Sequence, residues 1–340
     1  MNSRELVDHI RSGPAELLLD KPLRFPPRSN PYDFNELLKA LETSETIRAV
    51  TCKSQLQLSI TEDEWVLLVK TLGSIKGIHR LELFCTPGSR DFDTFQAVAK
   101  AVISAHLLRE LEIDVEGETL PRDPSGLAAL ANALREHTVL QEFGWCDFAP
   151  ETVQITALDP VLQALRACPY LQKVDIVTKC ASVDAIQNLL QLRPATELSL
   201  MLGMEKYAAV ANEIHRGRCN VQRLSLIMLS VTESEATEAV KALASAIQLD
   251  RNLERLNLEV VVKGPTEDAF LALAEALTVN TTLRTFSLSG TVHGFQSYEA
   301  VAKMLRGNTS LVLEVPLFYR GDAGGKGILI LFVRCAWSSD

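Results

Sequence analysis

Apolar residues in this chain recur as L-x-x-L-x-L, or a close variant, about every thirty residues and about ten times over. The clearest copies are Ile78-Leu81-Leu83, Leu108-Leu111-Ile113, Leu171-Val174-Ile176, Val221-Leu224-Leu226, Leu253-Leu256-Leu258 and Leu283-Phe286-Leu288. The alternation at the end of each copy has the period of a strand with one buried face. A turn-like stretch follows each copy, then a segment with apolar residues at i, i+3, i+4 and i+7, the spacing of a one-sided helix.

Thr266–Asn280 is a representative helix. Thr266 suits the N-cap, and Glu267 and Asp268 in the first turn complement the helix dipole. Phe270, Leu273, Ala274 and Leu277 form the apolar stripe, and Asn280 fits a left-handed closing residue. Equivalent stripes are Phe95, Val98, Ala99 and Val102; Leu127, Leu130, Ala131 and Leu134; and Tyr298, Val301, Ala302 and Leu305. Further helices are expected over 182–193, 205–217 and 233–249. Strands alternating with helices through short connections imply parallel pairing and right-handed crossovers. The expected fold is α/β: a right-handed βα solenoid, a horseshoe with parallel strands on its concave face and helices on its convex face.

The closing motif of the helices carries a family resemblance. Ala276-Leu277…Asn280-Thr281…Leu283, echoed by Met304-Leu305…Asn308-Thr309…Leu311 and Ala133-Leu134…His137-Thr138…Leu140, resembles the ribonuclease-inhibitor-like leucine-rich repeats. The resemblance spans about residues 34–315 and implies a solenoid that binds proteins. Two departures stand out. Where that family places Asn or Cys, three positions after the last strand leucine, this chain has Thr86, Glu116, Phe148, Lys179, Gly203, Leu229, Val261 and Thr291, so no internal Asn ladder is expected there. The spacing also contracts, to 24 residues from Leu171 to Ala195 and 26 from Ala195 to Val221.

Residues 1–33 read as an N-terminal cap segment, with a helix over 2–11 and a strand around Leu17 and Leu19. Residues 34–315 form a solenoid of about ten units. In the C-terminal tail, 316–340, a glycine-rich turn precedes the β-prone run Ile328–Val333, which either pairs as an edge strand on the final repeat or is poorly ordered.

Composition narrows the function classes. The net charge of −9 and the lack of a Lys/Arg run argue against nucleic acid. No apolar stretch approaches the roughly eighteen residues of a membrane span, and the N-terminus lacks the basic and apolar segments of a signal peptide. Seven cysteines without C-x-x-C spacing read as reduced thiols in a cytoplasmic protein.

The six histidines show no metal-ligand spacing, and His137 occupies the helix-closing position. Gly321–Gly327 has the wrong glycine spacing for a phosphate loop. The expectation is a monomeric, non-enzymatic interaction scaffold without cofactor or metal. A GTPase activator, or the sensor portion of a larger receptor or adaptor, is the alternative by analogy of fold.

Residues between the pattern leucines face the open side of the strands. Their first column, which starts with Arg80 and Glu110, alternates in sign through Glu142, Lys173, Glu197 and Arg223, which suits a cross-strand ion-pair ladder. The carboxylates Glu82, Glu110, Glu112, Asp114, Glu142 and Asp175 cluster beyond what such a ladder absorbs, unless Arg80, Arg109 and Lys173 relieve it. An apolar stripe, Cys146, Val177, Met201 and Ile227, runs through the third column, with Phe84 at its start. Glu82, Phe84, Glu110, Glu112, Asp114, Glu142, Asp175, Val177, Met201 and Ile227 are therefore the candidate partner-binding residues, suited to a protein with a basic surface.

Overall fold

The computed structural model describes residues 3–19, 32–52, 60–85, 91–115, 125–147, 158–178, 181–193, 195–230, 232–262, 266–290, 308, 311–320 and 326–333. The chain divides into two compact units, Met1–Ala185 and Ile186–Asp340.

The first unit runs α1 (Ser3–Arg11), β1 (Glu16–Leu19), α2 (Tyr32–Glu42), β2 (Ala49–Cys52), α3 (Glu62–Gly73), β3 (Arg80–Cys85), α4 (Asp91–Ser104), β4 (Glu110–Val115), α5 (Ser125–Glu136), β5 (Glu142–Asp147), α6 (Asp159–Ala164) and β6 (Lys173–Val177). Its six strands pair in parallel and in sequence order, each on the next. Helix α7 (Val183–Leu190) starts at the end of this unit.

In the second unit come β7 (Glu197–Leu202), α8 (Tyr207–His215), β8 (Arg223–Ser230), α9 (Glu233–Leu249), β9 (Arg255–Val262), α10 (Glu267–Val279), β10 (Thr285–Gly290), β11 (Val312–Arg320) and β12 (Lys326–Val333). Strands β7 to β11 are parallel neighbours, and β12 folds back antiparallel on β11. Each unit is thus an α/β solenoid of leucine-patterned repeats with an open sheet.

The N-terminal helix and strand expected before residue 34 are present as α1 and β1. At the other end, β11 continues through Pro316, where the repeat pattern breaks off. Pairing of β11 with β10 stops at Glu314, so the proline lies beyond the stretch where a ladder donor to β10 is needed. The helix expected over 296–308 lies, apart from Asn308, outside the described residues.

Burial follows the leucine pattern. Leu81, Leu83, Leu108, Leu198, Leu200, Leu226 and Leu258 are fully buried, as are the helix stripes of α4 and α5. Each helix covers the strand beside it, and no repeat could bury this surface alone. Helices α3 and α9 start with capping boxes: Thr61 with Glu64, and Thr232 with Glu235, each hydroxyl accepting the backbone N–H three residues on. Thr266 does occupy the N-cap of α10, but it makes no side-chain cap bond. Its N–H instead donates to the Thr237 hydroxyl of α9, 2.9 Å away, tying neighbouring repeats together.

One sequence expectation about repeat closure needs correction. Asn280 is not left-handed: it ends α10 in extended backbone, with φ −73° and ψ 126°. Its Oδ1 accepts from the N–H groups of Thr282 and Leu283, while its Nδ2 donates to Ile247 O at 2.7 Å and Asp250 O at 3.2 Å. An amide can close its own turn and reach back one repeat because it carries both donor and acceptor.

A series of side-chain bonds between repeats stands before the strands. Asn308 Nδ2 donates to Leu277 O and Asn280 O, the His137 ring bonds Ala105 O through Nε2, and the Cys168 thiol donates to Leu134 O. These bonds satisfy carbonyls that helix ends leave without intrahelical partners. Burial lowers the pKa of His137, against the bond to Ala105 O, which raises it.

After β7, where the sequence offers Gly203, the turn is held by a buried tyrosine. The Tyr207 hydroxyl accepts from Leu202 N at 3.1 Å and donates to Ile227 O on the adjacent strand.

Candidate protein-interaction face

Parallel register in the first unit stacks the open-face residues into columns. The first column contains Arg80, Glu110, Glu142 and Lys173; the second contains Glu82, Glu112, Gly144 and Asp175; the third contains Phe84, Asp114, Cys146 and Val177. These are the columns that the alternation of the sequence specifies, because one residue of slip would turn every leucine outward.

The first column is an ion-pair ladder. Arg80 lies 3.6 Å from Glu110 and 3.4 Å from Glu82, and Lys173 lies 3.7 Å from Glu142. In the second unit Arg223 pairs with Glu197 at 3.6 Å. Glu82 also accepts from the Thr51 hydroxyl at 3.0 Å. Arg80 and Lys173 thus relieve the outer part of the acidic cluster. Pairs of this kind, half open to solvent, contribute about 0–1 kcal/mol each. Their effect is to fix side-chain positions.

Glu112, Asp114 and Asp175 remain around a concavity of about 440 Å³. Gly144 forms part of its floor. A Cβ there would come within 3.0 Å of Glu112 Cγ, so the glycine leaves Glu112 room between two neighbouring strands. The Glu112 carboxyl is pushed above its ordinary range by desolvation, then by Glu82, Asp114 and Asp175, with Arg80 opposing. Asp114 is raised by desolvation, Glu82 and Asp175. Cys146, half-buried at the same place, has its thiol pushed up to about 12 by burial and by Asp114, Asp147, Asp175 and Glu112. Desolvation is the largest cause of all three shifts, and the neighbouring carboxylates add to each.

Beneath this face the support is rigid. The Trp145 ring is buried, stacks on Phe95 with centroids 5.8 Å apart, and donates from Nε1 to Asp147 Oδ2 at 2.6 Å. Sequence reasoning passed over Gly144, Trp145 and Asp147. The signal was a glycine within an otherwise large-residue column and a Trp-x-Asp pair on one strand face.

The candidate residues fall in both units. Glu82, Phe84, Glu110, Glu112, Asp114, Glu142, Asp175 and Val177 belong to the first unit. Met201 and Ile227 are register partners on β7 and β8 of the second. Within the units, Cys146 is the register partner of Val177 and Met201 that of Ile227, all four half-buried.

Among the described residues, no group of three or more His, Cys, Asp or Glu is arranged to hold a metal ion. No helix among them is long and apolar enough to cross a membrane.

No family model and no curated protein matches the chain. Among solved structures, a structural-genomics target from Bacteroides fragilis is similar at 14% identity and TM-score 0.39, over 64% of this chain and 66% of its own. Leiomodin-1 actin-binding site 2 aligns at 12% identity and TM-score 0.21, over 64% of this chain and 88% of its own. The TLR13 chain of a complex with single-stranded RNA aligns at 11% identity and TM-score 0.23, over 88% of this chain and 54% of its own. The chain thus spans about two thirds of the first of these and about half of the last. Likeness at this level does not extend the assignment beyond the class that the strands and helices themselves define, an α/β solenoid of leucine-patterned repeats.

Proposed function

We propose that this chain is a non-enzymatic, cytoplasmic protein-interaction scaffold of the ribonuclease-inhibitor-like leucine-rich-repeat type. Its open sheet face in the first unit binds a protein partner through a basic surface. The observation that carries this reading is the trio Glu112, Asp114 and Asp175 around the Gly144 depression, left after Arg80 and Lys173 have paired elsewhere. Two of the three carboxyls are shifted in the direction that a nearby cation would reverse. A bound Lys or Arg side chain would gain from the same potential, with Phe84 and Val177 offering apolar contact beside it. Phosphate backbones would be repelled, which separates this face from nucleic-acid ligands.

The experiment is charge reversal at Glu82, Glu112 and Asp175 together, followed by affinity capture, with circular dichroism to confirm an unchanged fold. Loss of a salt-sensitive set of basic partners is expected. An identical captured set at every ionic strength would exclude this face.

A further inference from the structure

The other end of the same strands carries a surface of opposite character. In each repeat the residue before the first pattern leucine sits in the turn that leads into the strand. In the first unit these residues are Thr46, Gly77, Leu107, Val139 and Tyr170, the last three of them apolar or aromatic. The stack is fixed by backbone bonds two residues further on, Arg109 N to His79 O, Gln141 N to Arg109 O and Gln172 N to Gln141 O, each at 2.7 Å. Leu107 is 49% exposed and Tyr170 60% exposed, with Val139 half-buried between them.

The second unit uses the same position differently. There it holds Asn220, Asn252 and Thr282. Asn220 and Asn252 each donate to a carbonyl of the preceding repeat, Gln191 O and Cys219 O, at 2.9 Å, and Thr282 donates to Asp250 O at 3.2 Å. A polar residue at this position therefore helps hold one repeat on the next, and the first unit forgoes that bond three times running. Leu and Val carry no donor for the carbonyl, the Tyr170 side chain is turned to solvent, and such exposed surface adds little to the core.

Charge around the column is mainly positive. Arg48, Lys76 and Arg109 are exposed in these turns, and Arg135 and Arg166 in the helical turns that precede them, against the exposed carboxylates Glu42, Glu45 and Glu136. Arg48 lies over Gly77, so the apolar column begins at Leu107.

We propose that this edge is a second docking surface, which takes an acidic peptide segment anchored by apolar side chains on Leu107, Val139 and Tyr170. An apolar column flanked by cations fits a ligand carrying both carboxylates and hydrophobic anchors, and it discriminates against the basic partner proposed for the sheet face. The two surfaces lie at different ends of the strands and stand or fall separately.

The test is panning of random short peptides against the folded chain, then binding of the selected peptides to variants. A class rich in Asp and Glu with Leu, Phe or Trp is expected. Its affinity should fall about tenfold in L107S/Y170S, as truncation of central apolar anchors does. It should fall with rising salt and in R109Q/R135Q, and stay unchanged in E112Q/D175N. Because Leu107 and Tyr170 are exposed, these serine variants should keep the wild-type circular dichroism and melting temperature. Recovery of no acidic class would overturn the proposal, as would acidic peptides that bind L107S/Y170S and R109Q/R135Q like wild type. Recovery of basic peptides that need Glu112 would bear on the sheet face alone.

Discussion

Asn280 Nδ2 donates to the main-chain carbonyl of Asp250, 3.2 Å away and one repeat earlier, while its Oδ1 holds the turn that leads to Leu283. This one buried side chain both closes its own repeat and couples it to its neighbour. Replacing it with Ala takes the side-chain acceptor from the Thr282 and Leu283 N–H groups and one donor from each of Ile247 O and Asp250 O, at about 1–3 kcal/mol for each group that water cannot reach. N280A should lose about 3 kcal/mol in urea unfolding, and N280D should lose nearly as much because it keeps the acceptor and loses the donor.

Asp250 occupies the equivalent position one repeat before and lacks that donor. Its Oδ2 accepts from Asn252 N and Leu253 N, but Oδ1 is buried without a partner. Burial raises its pKa, against the lowering effect of the backbone bonds. A carboxyl with a raised folded-state pKa contributes stability below the unfolded value and loses it as pH rises through the folded one. D250N should therefore stabilise the chain at neutral pH by about 1 kcal/mol and flatten stability against pH in the weakly acidic range. Urea midpoints measured at several pH values check both.

The acidic face should show the same sign, with repulsion between carboxylates added to burial. Glu112 and Asp114 are raised largely by desolvation and by each other's neighbours, so the wild type loses stability as pH rises through their folded-state values. E112Q/D114N should unfold at higher urea than wild type at pH 7, with the gap closing toward pH 3. Added salt should narrow it as well, since screening weakens repulsion between partly exposed charges.

Cys146 provides a chemical reading of that potential. With its thiol near 12, the thiolate at pH 8 is on the order of a thousandfold scarcer than for an ordinary cysteine. Iodoacetamide should modify Cys146 slowly despite its partial exposure. D114N/D175N should speed that modification severalfold, measured by peptide mass mapping; equal rates in the two proteins would mean that burial alone sets the thiol.

Much of this architecture was legible in the leucine spacing, since a side chain two positions along a strand returns to the same face. Leu81 and Leu83 had to be buried together, and Arg80, Glu82 and Phe84 had to share the other side. The first-column ladder followed from register, which the buried leucines enforce. Closure of the repeats was harder to read. Asn280 was recognisable as a helix end, but its extended backbone depends on acceptors supplied by Ile247 and Asp250, some thirty residues away. Tyr207 gave no local sign that its hydroxyl would bridge two strands.

The sequence by itself determined the repeat, its strand and helix faces and the identity of each column, because these depend on periodicities within one unit. Tertiary structure decided which carboxylates keep a cation and which surround the Gly144 gap. It also assigned Met201 and Ile227 to a different unit from Val177, and gave the turns before β4, β5 and β6 an exposed apolar column where later turns have bonded amides and a hydroxyl. Those outcomes depend on distances between repeats, and no pattern confined to one repeat encodes them.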